Sequence, residues 1–123
     1  MSSIRDERGA VAVEFGLVMP LLLMILFIIV EFGYAFNAQI SVTHAAREAA
    51  RTMAITKDWS DAKDAALSSS PSLSPAKLHF PTEPTCVAGA PVEVVLTYSL
   101  SGLTSLLPSG VNIKGKAAMQ CGG

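Results

Sequence analysis

Few residues in this chain have the type and spacing to do chemistry. Glu14 stands four residues inside an almost uniformly apolar run, and Gly9 closes the short charged stretch before it. A carboxylate inside a bilayer-compatible helix costs a few kcal/mol unless it finds a partner, so the chemistry open to Glu14 is ion pairing. Gly16 and Pro20 lie one helical turn apart in the same run. Pro20 has no N–H for the carbonyl of Gly16 and its ring crowds that turn, while Gly16 adds flexibility of its own. The turn is the weakest point of the helix; it can be read as a segment able to stretch or as a simple kink of the sort membrane helices tolerate. Cys86 and Cys121 are the only thiols. They are too far apart for a zinc half-site, and His44 and His79 are not spaced to complete one. In an exported domain the two would form a disulfide, closing a loop of about 35 residues worth roughly 3–4 kcal/mol in the chain-entropy model. In a reducing compartment they would be two buried free thiols. Activated-cysteine contexts, paired carboxylates and phosphate loops are missing from the sequence, so an enzyme is not expected, nor a metal, a cofactor or a small-molecule substrate.

The elements that must hold these residues follow from composition. The chain has 123 residues, half of them hydrophobic, and a net charge of −1. That leaves room for one small domain beside a hydrophobic helix, with no basic stripe for nucleic acid and no internal repeat. The hydrophobic residues are unevenly spread: Ala10 to Phe36 is nearly all apolar, and Ser68 to Pro91 is rich in Ser and Pro. The uncharged stretch between Glu14 and Glu31 is about 16 residues, or ~24 Å as a helix, short of the ~30 Å hydrocarbon core. Ala10 through Phe36 gives about 40 Å, enough to span if both glutamates are accommodated. So apolar a helix in so small a chain belongs in contact with a membrane.

Three fates are open to this segment. It can be a permanent signal anchor that keeps Arg5 and Arg8 on the cytoplasmic side. It can be a secretory signal peptide cut at Gly33-Tyr34-Ala35, releasing a protein that begins at Phe36. Or the cut falls before the apolar stretch, on the cytoplasmic side, and the helix stays on the mature protein. Glu14 discriminates, because neither of the first two has a use for it, unless it simply snorkels to water at the interface.

Gly9, four residues, Glu14-Phe15 and then an apolar run resembles the prepilin cleavage motif. On that resemblance the cut falls after Gly9, Ala10 becomes the first mature residue and Glu14 the fifth. The new α-amino group of Ala10 in one subunit would pair with the Glu14 carboxylate of its neighbour in a fibre. The longer stretch Arg8-Gly9-Ala-Val-Ala-Val-Glu14-Phe15-Gly16-Leu17-Val18-Met19-Pro20-Leu21-Leu22, followed by Ala45-Ala46-Arg47-Glu48-Ala49-Ala50-Arg51, is similar to the TadE-like family of minor pilins and pseudopilins of the tight-adherence pilus system. The similarity covers roughly the first 55 residues; beyond them the likeness is only of kind. It implies processing by a prepilin peptidase, residence in the bacterial inner membrane with the C-terminal part exported, and partnership with other pilins and pilus assembly proteins in a pilus used for cell adhesion. Other readings of the chain are a single-pass envelope protein with a small exported binding domain, or a secreted module cleaved near Ala35.

The expected division is a leader at 1–9, a transmembrane helix at 10–36, an exported helical region at 37–67, and a loop with a small disulfide-bonded sheet at 68–123. From Asn37 to Thr56 there is no Gly or Pro and the helix should continue. Ile40, Ala46 or Ala50, and Met53 would form its apolar stripe, with His44, Glu48 and Arg51 on a polar one; Glu48 reaches His44 at i−4 and Arg51 at i+3. Asp58 or Ser60 caps a second helix through about Leu67, with Asp61 in its first turn and Trp59 as a core anchor. Ser68 to Pro75 reads as a loop. Lys77–Phe80 and Thr85–Ala88 are short enough for edge strands. Val92, Val94, Leu96, Tyr98 and Leu100 alternate with Glu93, Val95, Thr97 and Ser99; after a turn at Ser101 to Gly110, with Pro108-Ser-Gly110 at its end, Val111, Ile113, Ala117 and Met119 alternate with Asn112, Lys114, Lys116 and Ala118. The two runs should pair antiparallel with their apolar face on the helix. The fold class expected is α+β: a long N-terminal helix with a small antiparallel sheet packed on its distal half, as in pilins. A bond between Cys86 and Cys121 would tie the Thr85–Ala88 segment to the last strand.

Overall fold

The computed structural model describes residues 3–103 and 111–122, with side chains from Asp6 onward. The expected Pro108-Ser-Gly110 turn lies outside the described residues. Helix α1 runs unbroken from Ser3 to Thr56, and at 1.5 Å per residue it is about 80 Å long. Its end has a local cause. Lys57 takes a left-handed φ of 58° and its N–H donates to the Met53 carbonyl at 2.9 Å, the αL closure usually given to Gly. Asp58 then starts α2 (Trp59–Ser69) as its N-cap, accepting from the N–H groups of Ser60 and Asp61. Asp58 rather than Ser60 is therefore the cap, and α2 runs on past Leu67 to Ser69.

The sheet has three antiparallel strands in the order β1-β2-β3: β1 Leu78–His79, β2 Pro91–Leu100 and β3 Val111–Gln120. β2 and β3 pair along their full length, from Pro91 opposite Gln120 to Leu100 opposite Val111. The alternation expected for β2 is met residue by residue: Val92, Val94, Leu96, Tyr98 and Leu100 are all buried. The architecture is the α+β one, a long apolar N-terminal helix with the sheet and α2 packed on its distal part. Helix α2 and the sheet both lie against α1 beyond residue 31, where the buried core begins.

Three expectations are corrected. Thr85–Ala88 forms no strand: Pro81 and Pro84 deny it ladder donors on its approach, and it crosses the end of the β2–β3 pair instead of lying along an edge. Ile40 is not in the buried stripe but 69% exposed; the buried face is Ala38, Val42, Ala45, Ala46, Ala49, Ala50, Met53 and Ala54, and Ile40 lies about 200° around the helix from Ala38. Met119, given the inward parity of β3, is exposed as well. The Ser/Pro segment, expected as a loop, is pinned to the core. Ser70 is buried and its hydroxyl donates to the Ser41 carbonyl at 3.0 Å; the N–H of Ser74 donates to the Tyr98 hydroxyl at 3.3 Å.

The closest approach of sheet to helix falls at Gly115, an inward position of β3 that the alternation passes over. A Cβ built there would lie 2.7 Å from both Cγ1 and the carbonyl oxygen of Val42. Glycine in a strand marks such approaches, and the alanine face of α1 allows this one. Relief would have to come from the Val42 backbone. We expect Gly115→Ala to cost about 1–3 kcal/mol through overpacking, read as a lower midpoint of near-UV circular dichroism on heating the detergent-solubilised protein. Gly115→Val should cost more.

Candidate functional site

The N-terminal half of α1 is the candidate site. From Val11 to Val30 its large apolar side chains are exposed, and the most apolar stretch, long enough to cross a membrane, has none of its residues buried within the chain. The Gly9–Ala10 peptide lies in this helix, both residues are exposed, and nothing comes within 4 Å of the position a Cβ would take on Gly9 or Gly16. Pro20 is accommodated inside the helix without ending it. Glu14 sits one turn beyond Ala10, about 6 Å along the axis. It is exposed, and among the described residues it has neither an ion-pair partner nor a hydrogen-bond donor. A partner for this carboxylate has to come from outside the described chain.

The helix carries a second carboxylate with the opposite surroundings. Glu31 is only 2% exposed, and the N–H of Leu103, just past the end of β2, donates to its Oε2 at 3.2 Å. The sheet domain thus reaches down one side of α1 to the level of Glu31, while Phe32, Phe36 and Ile40 stay exposed. Sequence reasoning registered Glu31 only as a charge to be accommodated. Its partner lies 72 residues away, so no local spacing announces it.

At the other end of the domain the two cysteines meet. Cys86 and Cys121 are at disulfide distance, with Cα atoms 5.8 Å apart, and Cys121 is buried. Backbone bonds hold the same junction: Cys121 N–H to the Ala90 carbonyl at 2.9 Å, Gly89 N–H to the Cys121 carbonyl at 3.3 Å, and Gly122 N–H to the Ala54 carbonyl at 3.2 Å. Gly89, at φ 80°, makes the turn that allows it. The C-terminal tail is thereby fastened both to the 86–90 segment and to the last turn of α1. Trp59 sits half-buried against the core, its ring edge-on to Phe80 with centroids 5.4 Å apart. His44, Arg47 and Arg51 are exposed on α1, and no group of His, Cys, Asp and Glu among the described residues could hold a metal ion.

A long apolar helix carries a small antiparallel sheet on its distal part, an α+β architecture, with a carboxylate near its start that no described residue answers. Residues 9–51 match the family model for TadE-like protein, and over that segment the chain is similar to that family. The match spans the Gly9–Glu14 motif, the apolar helix and the alanine-rich turns; residues 52–123 lie beyond it. The similarity is to a family associated with the tight-adherence pilus. Neither the curated proteins nor the solved structures give a match.

With Cys86 and Cys121 so placed, thiol labelling of denatured, unreduced protein should modify neither, and reduction should expose both. Full labelling without reductant would show that the domain is held by apolar packing alone.

Proposed function

We propose that the chain is a minor pilin or pseudopilin of a tight-adherence pilus. It is made with the leader 1–9, is cut by a prepilin peptidase between Gly9 and Ala10, and is held in the bacterial inner membrane by the helix 10–36 with the rest exported. From there it joins other pilins and assembly proteins, and enters the fibre. The observation that carries this reading is Glu14: a carboxylate in the apolar, lipid-compatible part of the helix with no partner among the described residues. Cleavage after Gly9 creates the missing cation in every subunit, the α-amino group of Ala10. Within one helix the two groups are a turn apart, and between staggered neighbours they can meet directly. The Gly16–Pro20 turn would then be the place where the helix stretches as a subunit leaves the bilayer.

Release of a secreted module at Ala35 fits less well. Tyr34 and Ala35 pack on the core in mid-helix, and a cut there would remove Glu31 from beneath Leu103. A plain single-pass envelope protein shares the anchor but has no use for Glu14, so the tests turn on that residue.

The membrane-associated protein should have an intact mass that begins at Ala10 in cells with an active prepilin peptidase. Gly9 replaced by a bulky residue should leave the leader on, because the peptidase must approach the backbone closely there. A mature mass retaining Met1 to Gly9, or one starting at Phe36, would sink the reading.

Glu14→Gln keeps the shape and removes the charge. Membrane retention and leader removal should both survive, while cross-linking to other pilus subunits should fall steeply, since the Ala10 amino group loses its counter-ion. Pili and cross-links indistinguishable from wild type would mean that Glu14 merely reaches water at the interface.

A further inference from the structure

The depth at which the exported domain sits follows from the two carboxylates and from what surrounds each. Glu14 and Glu31 are separated by about 26 Å of helix, less than the ~30 Å hydrocarbon core. If both marked the aqueous boundaries, the bilayer would have to thin. Glu31 need not mark a boundary, because it is covered: the domain buries it and the Leu103 N–H donates to it. Each satisfies the other, a carboxylate that water cannot reach and an amide that would be costly bare in lipid. Phe36 then becomes the natural limit, about 33 Å from Glu14 along the helix. The exposed face changes chemistry beyond there, from wholly apolar residues up to Phe36 and Ile40 to His44 and Arg47. Polar and charged side chains succeed the apolar ones beyond that level, as they do where a helix leaves the hydrocarbon core.

We propose that the base of the exported domain is sunk into the lipid surface, with Leu103 among the acyl chains at the level of Glu31. The inference rests on the reading of α1 as a membrane anchor. Glu31 lies about 7 Å below Phe36 along the helix, and the hydrogen bond fixes Leu103 beside it. Leu103 is an apolar side chain 60% exposed, which is unfavourable in water and favourable in lipid. On the same end of the domain an open groove of about 320 Å³ is lined by Phe32, Phe36, Leu100, Val111 and Ile113, among others, with Gln39 the one polar member among the described residues. The groove is continuous with the lipid-facing surface of α1, and acyl chains are its occupant. Glu31 is the positioning residue, since it holds the domain down on the helix at this depth.

The test uses the full chain in phosphatidylcholine vesicles whose lipids carry bromine on the acyl chains, with Trp59→Phe as background so that a single tryptophan reports. Leu17→Trp reads the anchor, Leu103→Trp reads the base of the domain and Lys116→Trp, on the exposed face of β3, reads solvent. Leu103→Trp should be quenched at least threefold more than Lys116→Trp, approaching Leu17→Trp. Quenching at 103 equal to that at 116, with 17 still quenched, overturns the proposal and leaves the anchor standing. If 17 is not quenched either, the anchor reading fails and the proposal with it. Adding Glu31→Ala to Leu103→Trp should bring the quenching toward the value at 116, and Glu31→Gln, which keeps an acceptor oxygen, should restore it. Strong quenching at 103 in Glu31→Ala would overturn the role given to Glu31.

Discussion

One continuous helix has to meet two solvents, and its side chains change to suit. Between Glu14 and Glu31 α1 offers apolar side chains to the outside, with no protein against them. Past Glu31 it presents a face of alanines to a sheet and to α2. The first part gains nothing from the protein and needs a bilayer or a neighbouring helix. The second part is the spine of a small hydrophobic core. Because the helix is unbroken, whatever fixes one part fixes the direction of the other. The helix passes through Gly33, just beyond Glu31, without a break.

The alanine face is what makes so small a core close. Ala45, Ala46, Ala49 and Ala50 are fully buried; they contribute little area each, but they let β3 come down onto the helix until Gly115 touches the Val42 backbone. Larger side chains at either surface would hold sheet and helix apart and leave voids that the 123-residue chain has no spare residues to fill. The larger apolar groups come instead from β2, whose Leu96, Leu100, Val92 and Val94 are fully buried. Peripheral fastenings complete the arrangement. Ser70 and Ser74 pin the Ser/Pro segment, and the Cys86–Cys121 junction ties the tail to the end of α1. The exposed Lys116–Glu93 pair, at 3.1 Å, adds little.

The two glutamates of α1 show how surroundings assign different roles to one chemistry. Glu31 is answered within the chain by a backbone amide and is structural. Glu14 has no described residue to answer it and is the group that asks for a partner. One carboxylate of α1 is thus covered by the chain itself, and the other stands open on the apolar stretch.

Much of this was legible in the sequence, because it depends on local period and on anomaly. The alternation from Val92 to Leu100 specifies a half-buried strand whatever lies above it, since successive side chains of a strand take opposite faces. The uniform apolar run specifies membrane contact, the absence of Gly and Pro carries the helix to Thr56, and a carboxylate at position 14 stands out against its neighbours. Where side chains do not differ in kind, the sequence does not say which face is inward. Ile40 looked like core beside so many alanines, yet it is the alanines that are buried, because packing against a sheet at close range selects for small size rather than for hydrophobicity. Glu31 and Leu103, Gly115 and Val42, and Cys86 and Cys121 are meetings of residues far apart along the chain. Only the tertiary structure decided them, since a contact across such separations is set by how helix and sheet dock and leaves no period in either partner's own neighbourhood.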